Sequence, residues 1–220
     1  LMVWDDHDIF DGWGSHPPEL QESPVALGIF ACAREMFTLF QLGAEPERPP
    51  PICPDPTGRS FTQGAQFPGF SVVLPDLRSE RRPDRVMGET GWSAFEAALG
   101  AAPVGARRIV VSSVPALGPR LSLLESLLDF YPGQQRYEDD LRDQWQSRAH
   151  RDEWARFLQA LEREQVERDG PVTVLSGEIH LATRGEMRLR DGSVMHQLVA
   201  SGITHPKPPA ALGIGLGALS

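Results

Sequence analysis

The chain reads as an α/β protein with its working residues gathered beyond the carboxyl ends of an open sheet. Two observations predict this. Short apolar runs of about four residues recur along the chain, rich in β-branched or aliphatic residues, and each ends in a polar or turn cluster. Segments with helical apolar spacing lie between them. Near-continuous apolar runs are the pattern of strands buried on both faces, and in open α/β sheets the functional residues sit in the loops that follow such strands.

Taken in order, Leu1-Met2-Val3-Trp4 is the first predicted strand and runs into "DDHD", Asp5 to Asp8. Ser23-Pro24 is a good N-cap and first-turn pair, and Gly43 is a stop. Between them Val25, Ile29, Cys32, Met36 and Leu39 recur at helical spacing, so Cys32 is expected to be buried. Residues 44–69 are rich in proline and glycine, which excludes a regular helix or a central strand. They read as an insertion loop, a linker or a lid. Phe70 to Leu74 is the second predicted strand and leads into Pro75-Asp76-Leu77-Arg78. A short helix is expected over Ser93 to Leu99 and another over Leu121 to Phe130. Ile109-Val110-Val111 is a strand leading into Ser112-Ser113. Tyr137 to Arg168 reads as one long charged helix with an apolar stripe through Trp145, Ala149, Trp154, Phe157 and Leu161, stopped by Gly170-Pro171. Val172 to Leu175 is the fourth strand and runs into "SGEIH", Ser176 to His180. Residues 186–201 read as a hairpin about Asp191-Gly192, a type I′ signal.

The bulk numbers narrow the function classes. The 220 residues suffice for one large domain, 40% of them are hydrophobic and 23% charged, and the reading is a single domain over 1–220. A formal charge of −9 argues against a general nucleic-acid or anionic-membrane binder. A phosphate-bearing substrate stays compatible, because a bound cation reverses the local sign. Cys32 and Cys53 permit one disulfide but form no cysteine framework. No apolar stretch reaches the roughly 20 residues of a membrane span. The start in a strand-like run and the end at "GIGLGALS" read as those of a fragment, so the compartment, cytoplasm or periplasm, is left open, as is the oligomeric state.

Two clusters carry chemistry. Asp5, Asp6, His7 and Asp8 crowd like charges that repel unless solvated or neutralised by a cation. Carboxylates and imidazole are ligands of hard and borderline metals, and a histidine beside them can donate a proton to a leaving group. The plainer reading is an acidic helix N-terminus. In "SGEIH", Glu178 and His180 alternate, so an extended strand end would point both the same way. Arg78 can clamp a phosphate or hold Asp76 in a structural pair. His150 and the acids of residues 139–143 read as a solvated helix face, His196 and His205 as ordinary histidines, and Trp13 as a residue that could line a site.

The stretches "MVWDDHDIFDGWGS", "VVLPDLRSER", "IVVSSVP" and "VTVLSGEIH", in this order, resemble the PhoD-like alkaline phosphatases, within the calcineurin-like metallophosphoesterases. "HQLVASGITHPKPP" resembles a bacterial branch of that family. The resemblance implies a four-layer αββα sandwich and metal-dependent hydrolysis of phosphomonoesters or phosphodiesters, with a small-molecule phosphate ester as the partner. It implies Asp6 as a metal ligand with Asp5 as a second, Glu178 as a ligand, and His7 as acid or phosphate contact; His180 is read as a ligand or as a partner to one, and Arg78, from its place after a strand, as a further phosphate contact. Iron with calcium is the metal pair it suggests. Glu178 stands where the family usually has Asp, and the family's upstream ligand motifs do not appear. The alternative is an incomplete or catalytically degenerate domain that keeps the fold without turnover.

Overall fold

A computed structural model describes residues 1–46, 48–118, 144–177 and 182–200. Among them lies one six-stranded mixed sheet with four α-helices. The strands are β1 (Gln63–Phe67), β2 (Phe70–Leu74), β3 (Arg107–Ser112), β4 (Val172–Ser176), β5 (Thr183–Arg188) and β6 (Val194–Val199). Their spatial order is β1-β2-β3-β4-β6-β5, with β2, β3, β4 and β6 parallel and both edge strands antiparallel to their neighbours. The helices are α1 (Pro18–Gln21), α2 (Pro24–Phe40), α3 (Glu89–Gly100) and α4 (Arg151–Val166).

Three of the four predicted strands form, and their parallel register sets Ser112 beside Ser176 at the carboxyl edge. The runs are not equally buried on both faces. Val73, Val110, Val172, Val174 and Met195 are sealed into the main core with Phe95, Leu99, Phe157 and Leu161 of α3 and α4. On the other face Val72, Ile109, Val111 and Leu175 are half-buried and Leu198 is exposed. The sheet therefore has a closed helical side and a second, apolar but more open side.

Leu1 to Trp4 is a correction. It forms no strand, Leu1 and Met2 are exposed, and only Trp4 is buried. Its apolar content serves a second cluster, in which Trp4, Trp13, Phe37 and Phe61 pack with Phe30 of α2. Part of the loop expected over 44–69 becomes an edge strand, β1, turned onto β2 at Phe67 and Phe70. The edge position fits its composition, since an edge strand needs only one partner. The hairpin β5–β6 forms, but its turn is not type I′. Gly192 alone takes a positive φ, +85°, and the Leu189 amide returns to the Ser193 carbonyl. This is a three-residue loop with glycine at the left-handed position.

Helix α2 starts at Ser23, whose Oγ accepts from Ala26 N–H at 3.2 Å, and α4 covers the second half of the segment expected to be one long helix. Residues 144–150 are turns, and His150 is buried there rather than solvated, with Nδ1 3.0 Å from Ser147 Oγ. The apolar stripe expected to bury α2 faces outward. Val25, Ile29, Met36 and Leu39 are exposed, and so is Cys32, while Ala26, Phe37 and Thr38 are buried. Both cysteines are free thiols, Cys53 buried and Cys32 exposed, so the disulfide is absent. The helix expected over 121–130 and the acids at 139–143 lie outside the described residues, as does His205.

Candidate metal centre

The acidic run after Trp4 folds into one turn of 3₁₀ helix, Asp6–Asp8. Asp5 caps it, accepting from Asp6 N–H at 3.0 Å, and Asp8 reaches back to Asp5 N–H at 2.8 Å. This reciprocal capping box accounts for two of the three acids of Asp5–Asp8 as backbone partners. Asp6 accepts from Gly12 N–H at 2.8 Å through Oδ2. Asp11 follows at the start of the next turn, in which Gly12 takes φ +74° and Gly14 +96°. The result is a trio: one ligand atom each of Asp6, His7 and Asp11 lies within 4.8 Å of the others, with His7 Nε2 3.4 Å from Asp11 Oδ1. Asp6 is half-buried, while His7 and Asp11 project into solvent. Two carboxylates and one imidazole suit a hard or borderline divalent or trivalent cation.

Asp11 is the residue that sequence reasoning missed. Its signal was spacing: four residues after His7, it shares a face with that histidine once the chain turns. Asp11 belongs to the same acidic stretch in sequence, but nothing in the sequence alone marks it as a ligand.

The loop after β2 anchors this turn from below. Asp76 is buried and collects donors from four residues. Trp4 Nε1 (2.8 Å), Arg78 N–H (3.0 Å) and Ser79 N–H (2.9 Å) reach Oδ1; Phe61 N–H (2.6 Å) and the Ser79 hydroxyl reach Oδ2. Of the two roles weighed for Arg78, the pairing is with Asp5 rather than Asp76. Its guanidinium is 1% exposed; Nε donates to Asp5 Oδ1 at 2.5 Å, and Nη2 also pairs with Asp5 and lies 3.7 Å from Asp6 Oδ1. Arg78 is therefore part of the support beneath the acids, with Nε and Nη2 both on Asp5. Trp13 is buried, stacks on Phe30 at 4.6 Å and donates to the Arg78 carbonyl at 3.1 Å, so it braces the site rather than lining it.

Arg34 of α2 closes the assembly from the other side. It stacks over Phe61, 4.3 Å from the ring centroid, and donates to Ser79 Oγ at 3.0 Å. Burial lowers its pKa, opposed by the nearby Asp76 and Asp55 carboxylates. Burial also pushes the Cys53 thiol up to about 11, reinforced by the same two acids. At the carboxyl edge of the sheet, β4 ends at Ser176; Glu178 and His180 lie outside the described residues. His196 is on β6, 3.4 Å from Glu186, away from this turn.

With this geometry in hand, the comparisons identify the class. The sequence profile of the PhoD related phosphatase family matches residues 1–136, and the chain belongs to that family. The match includes the Asp5–Asp8 turn and the Asp76–Arg78 loop; "SGEIH" falls beyond it. A similar protein is the uncharacterized YGR266W of Saccharomyces cerevisiae, 24% identical over 234 residues, which cover 86% of this chain and 33% of that protein. The chain thus spans about a third of the length of that relative. No solved structure matches.

Proposed function

We propose that the chain carries out metal-dependent hydrolysis of phosphate esters, mono- or diesters, with Asp6, His7 and Asp11 holding the cation. The observation that carries this reading is the convergence of those three ligand atoms within 4.8 Å, in a turn matched by a phosphatase family. A cation bound there would offset the charge of an anionic ester and lower the pKa of a coordinated water. Asp5 and Arg78 hold the turn in place from beneath, and Gly12 N–H holds one oxygen of Asp6 while the other lies 3.7 Å from Arg78 Nη2. At Nε2 His7 can serve as ligand to the cation or as acid to a leaving alkoxide, but not as both, and its place in the trio favours ligation. Glu178 and His180 are proposed as ligands delivered from the end of β4, with iron and calcium as the metals to try first.

The fold proposal is the four-layer αββα sandwich. Its support is the second sheet face, where Val72, Ile109, Val111 and Leu175 are only half-buried on the central strands, although Thr173, His196 and Glu186 continue the same face toward the far edge. The rival reading, a domain without turnover, has its own support: Asp5 is committed to Arg78, and Asp6 already accepts one backbone hydrogen bond.

The test is metal titration of the protein by calorimetry, with hydrolysis of a nitrophenyl phosphate monoester and of the bis-nitrophenyl diester. Asp6→Asn and Asp11→Asn are each expected to weaken metal binding at least tenfold and to lower turnover in step. Metal binding without hydrolysis of either ester would favour the rival reading. Undiminished binding in both variants would refute the trio.

A further inference from the structure

The outward stripe of α2 has a use that the metal turn does not absorb. Val25, Ile29, Cys32, Met36 and Leu39 follow one another at steps of four, three, four and three. That is the a/d spacing of a helix seam made for another helix. The helix meets its own protein with a different face: Ala26, Phe30, Ala33 and Phe37 pack in the aromatic cluster, and Arg34 turns inward over Phe61. Glu35 is then the one charged side chain that α2 presents outward.

We propose that this stripe is the interface of a two-fold dimer, in which α2 of one copy packs on α2 of a second copy of the chain. The extent of the surface supports it. Val25, Ile29, Met36, Leu39 and Phe40 are 72%, 42%, 45%, 47% and 73% exposed. Complete burial of those side chains would remove on the order of 500 Å² per copy, or about 1,000 Å² for the pair, the level a specific interface must clear. The chemistry selects the occupant. An interfacial membrane helix carries lysine and arginine on its polar flank, whereas α2 shows only Glu35 there and the chain has a charge of −9. A nucleic acid is excluded on the same ground. A second copy offers a matching apolar seam, with Asp8 and Ile9 at the edge of the groove it would fill, and an isologous pair needs one patch that fits itself. Gly28, with open space where a Cβ would be, lies beside the stripe and lets the backbones approach. Cys32 is the midpoint of the stripe, so a two-fold axis near the middle brings the two Cys32 thiols side by side whichever way the helices run.

The experiment combines mass by light scattering at micromolar concentration with a short bis-maleimide crosslinker. The expected mass is twice the 24.2 kDa of the chain, with a covalent dimer that disappears in Cys32→Ser. Ile29→Asp and Met36→Asp, both at exposed positions, are expected to return the chain to monomer mass with an unchanged circular dichroism spectrum. A monomeric wild-type chain overturns the proposal. So does a dimer that survives both aspartate variants, a dimer that Cys32 does not crosslink, or a ladder of higher oligomers in place of a closed pair. None of these outcomes depends on metal or on hydrolysis.

Discussion

Replacing Asp76 tests the claim that one buried carboxylate organises the floor of the metal turn. Three backbone N–H groups and the Trp4 indole converge on it, and Phe61 and Trp4 belong to the second aromatic cluster. In Asp76→Ala those donors lose their acceptor inside the protein. A buried unsatisfied donor costs about 1–3 kcal/mol, and bonds to a charged acceptor contribute about 1.5–3 kcal/mol each. The bonds share one group and relax together, so the sum is not additive. An expected loss of about 3–5 kcal/mol follows, a large share of a typical folding stability of ~5–15 kcal/mol. Asp76→Asn keeps the shape but must turn an amide N–H toward donors, and about half that loss is expected. The assay is urea unfolding followed by tryptophan fluorescence, with Trp4 itself in contact with the mutated group. A loss below about 1 kcal/mol in Asp76→Ala would refute the hub, because an average point substitution costs about that much. Metal affinity should fall with it, since Arg78 and Asp5 are held by the same loop.

The remaining predictions concern other parts of the same framework. Gly14→Ala places a Cβ 2.5 Å from Arg81 Cγ at a φ of +96°, and should cost about 2–3 kcal/mol, read as a melting point lower by roughly 5–10 °C; an unchanged melting point would contradict the close approach. Thiol labelling at pH 8 should modify Cys32 quickly and Cys53 at least about 100-fold more slowly, because a thiol at about 11 is scarcely ionised there. Equal rates would show that Cys53 is not enclosed. Burial pushes the Asp55 carboxyl up, but hydrogen bonds from Ser60, Thr57 and Arg59 outweigh it and hold the group below its ordinary value. Its stabilisation is therefore present above the unfolded carboxylate pKa of about 4 and is lost as pH falls through the lower folded value. Asp55→Asn should be less stable than wild type at pH 7 by about 1–2 kcal/mol, with the gap closing on acidification below about pH 4 in urea titrations; a constant gap from pH 7 to pH 2 would count against this linkage.

What the sequence made legible follows from how local each signal is. The runs of residues 70–74, 109–111 and 172–175 announce themselves because a strand in the middle of a sheet must be apolar whatever surrounds it. Leu1 to Trp4 has the same composition but no strand neighbour among the described residues, and its tryptophan goes to an aromatic cluster instead. Composition specifies that Trp4 is buried, not what buries it. The α2 stripe misled for the reverse reason. Helical spacing identifies an apolar face, but two apolar faces were available, and Arg34 with Phe30 and Phe37 took the one against Trp4 and Phe61. At the metal turn the acids were visible as a cluster, while their division of labour was not. Asp5 and Asp8 spend their oxygens on backbone N–H groups and Arg78, and Asp11 comes in from the next turn, four residues after His7. A carboxylate's role is set by which donors reach it first, and that depends on a loop 70 residues away, where Asp76 fixes Arg78 beneath Asp5. The two positions that read least well, the outer face of α2 and the floor under Asp5, are those whose meaning depends on a partner distant in sequence, and they are also where the substitutions proposed above act.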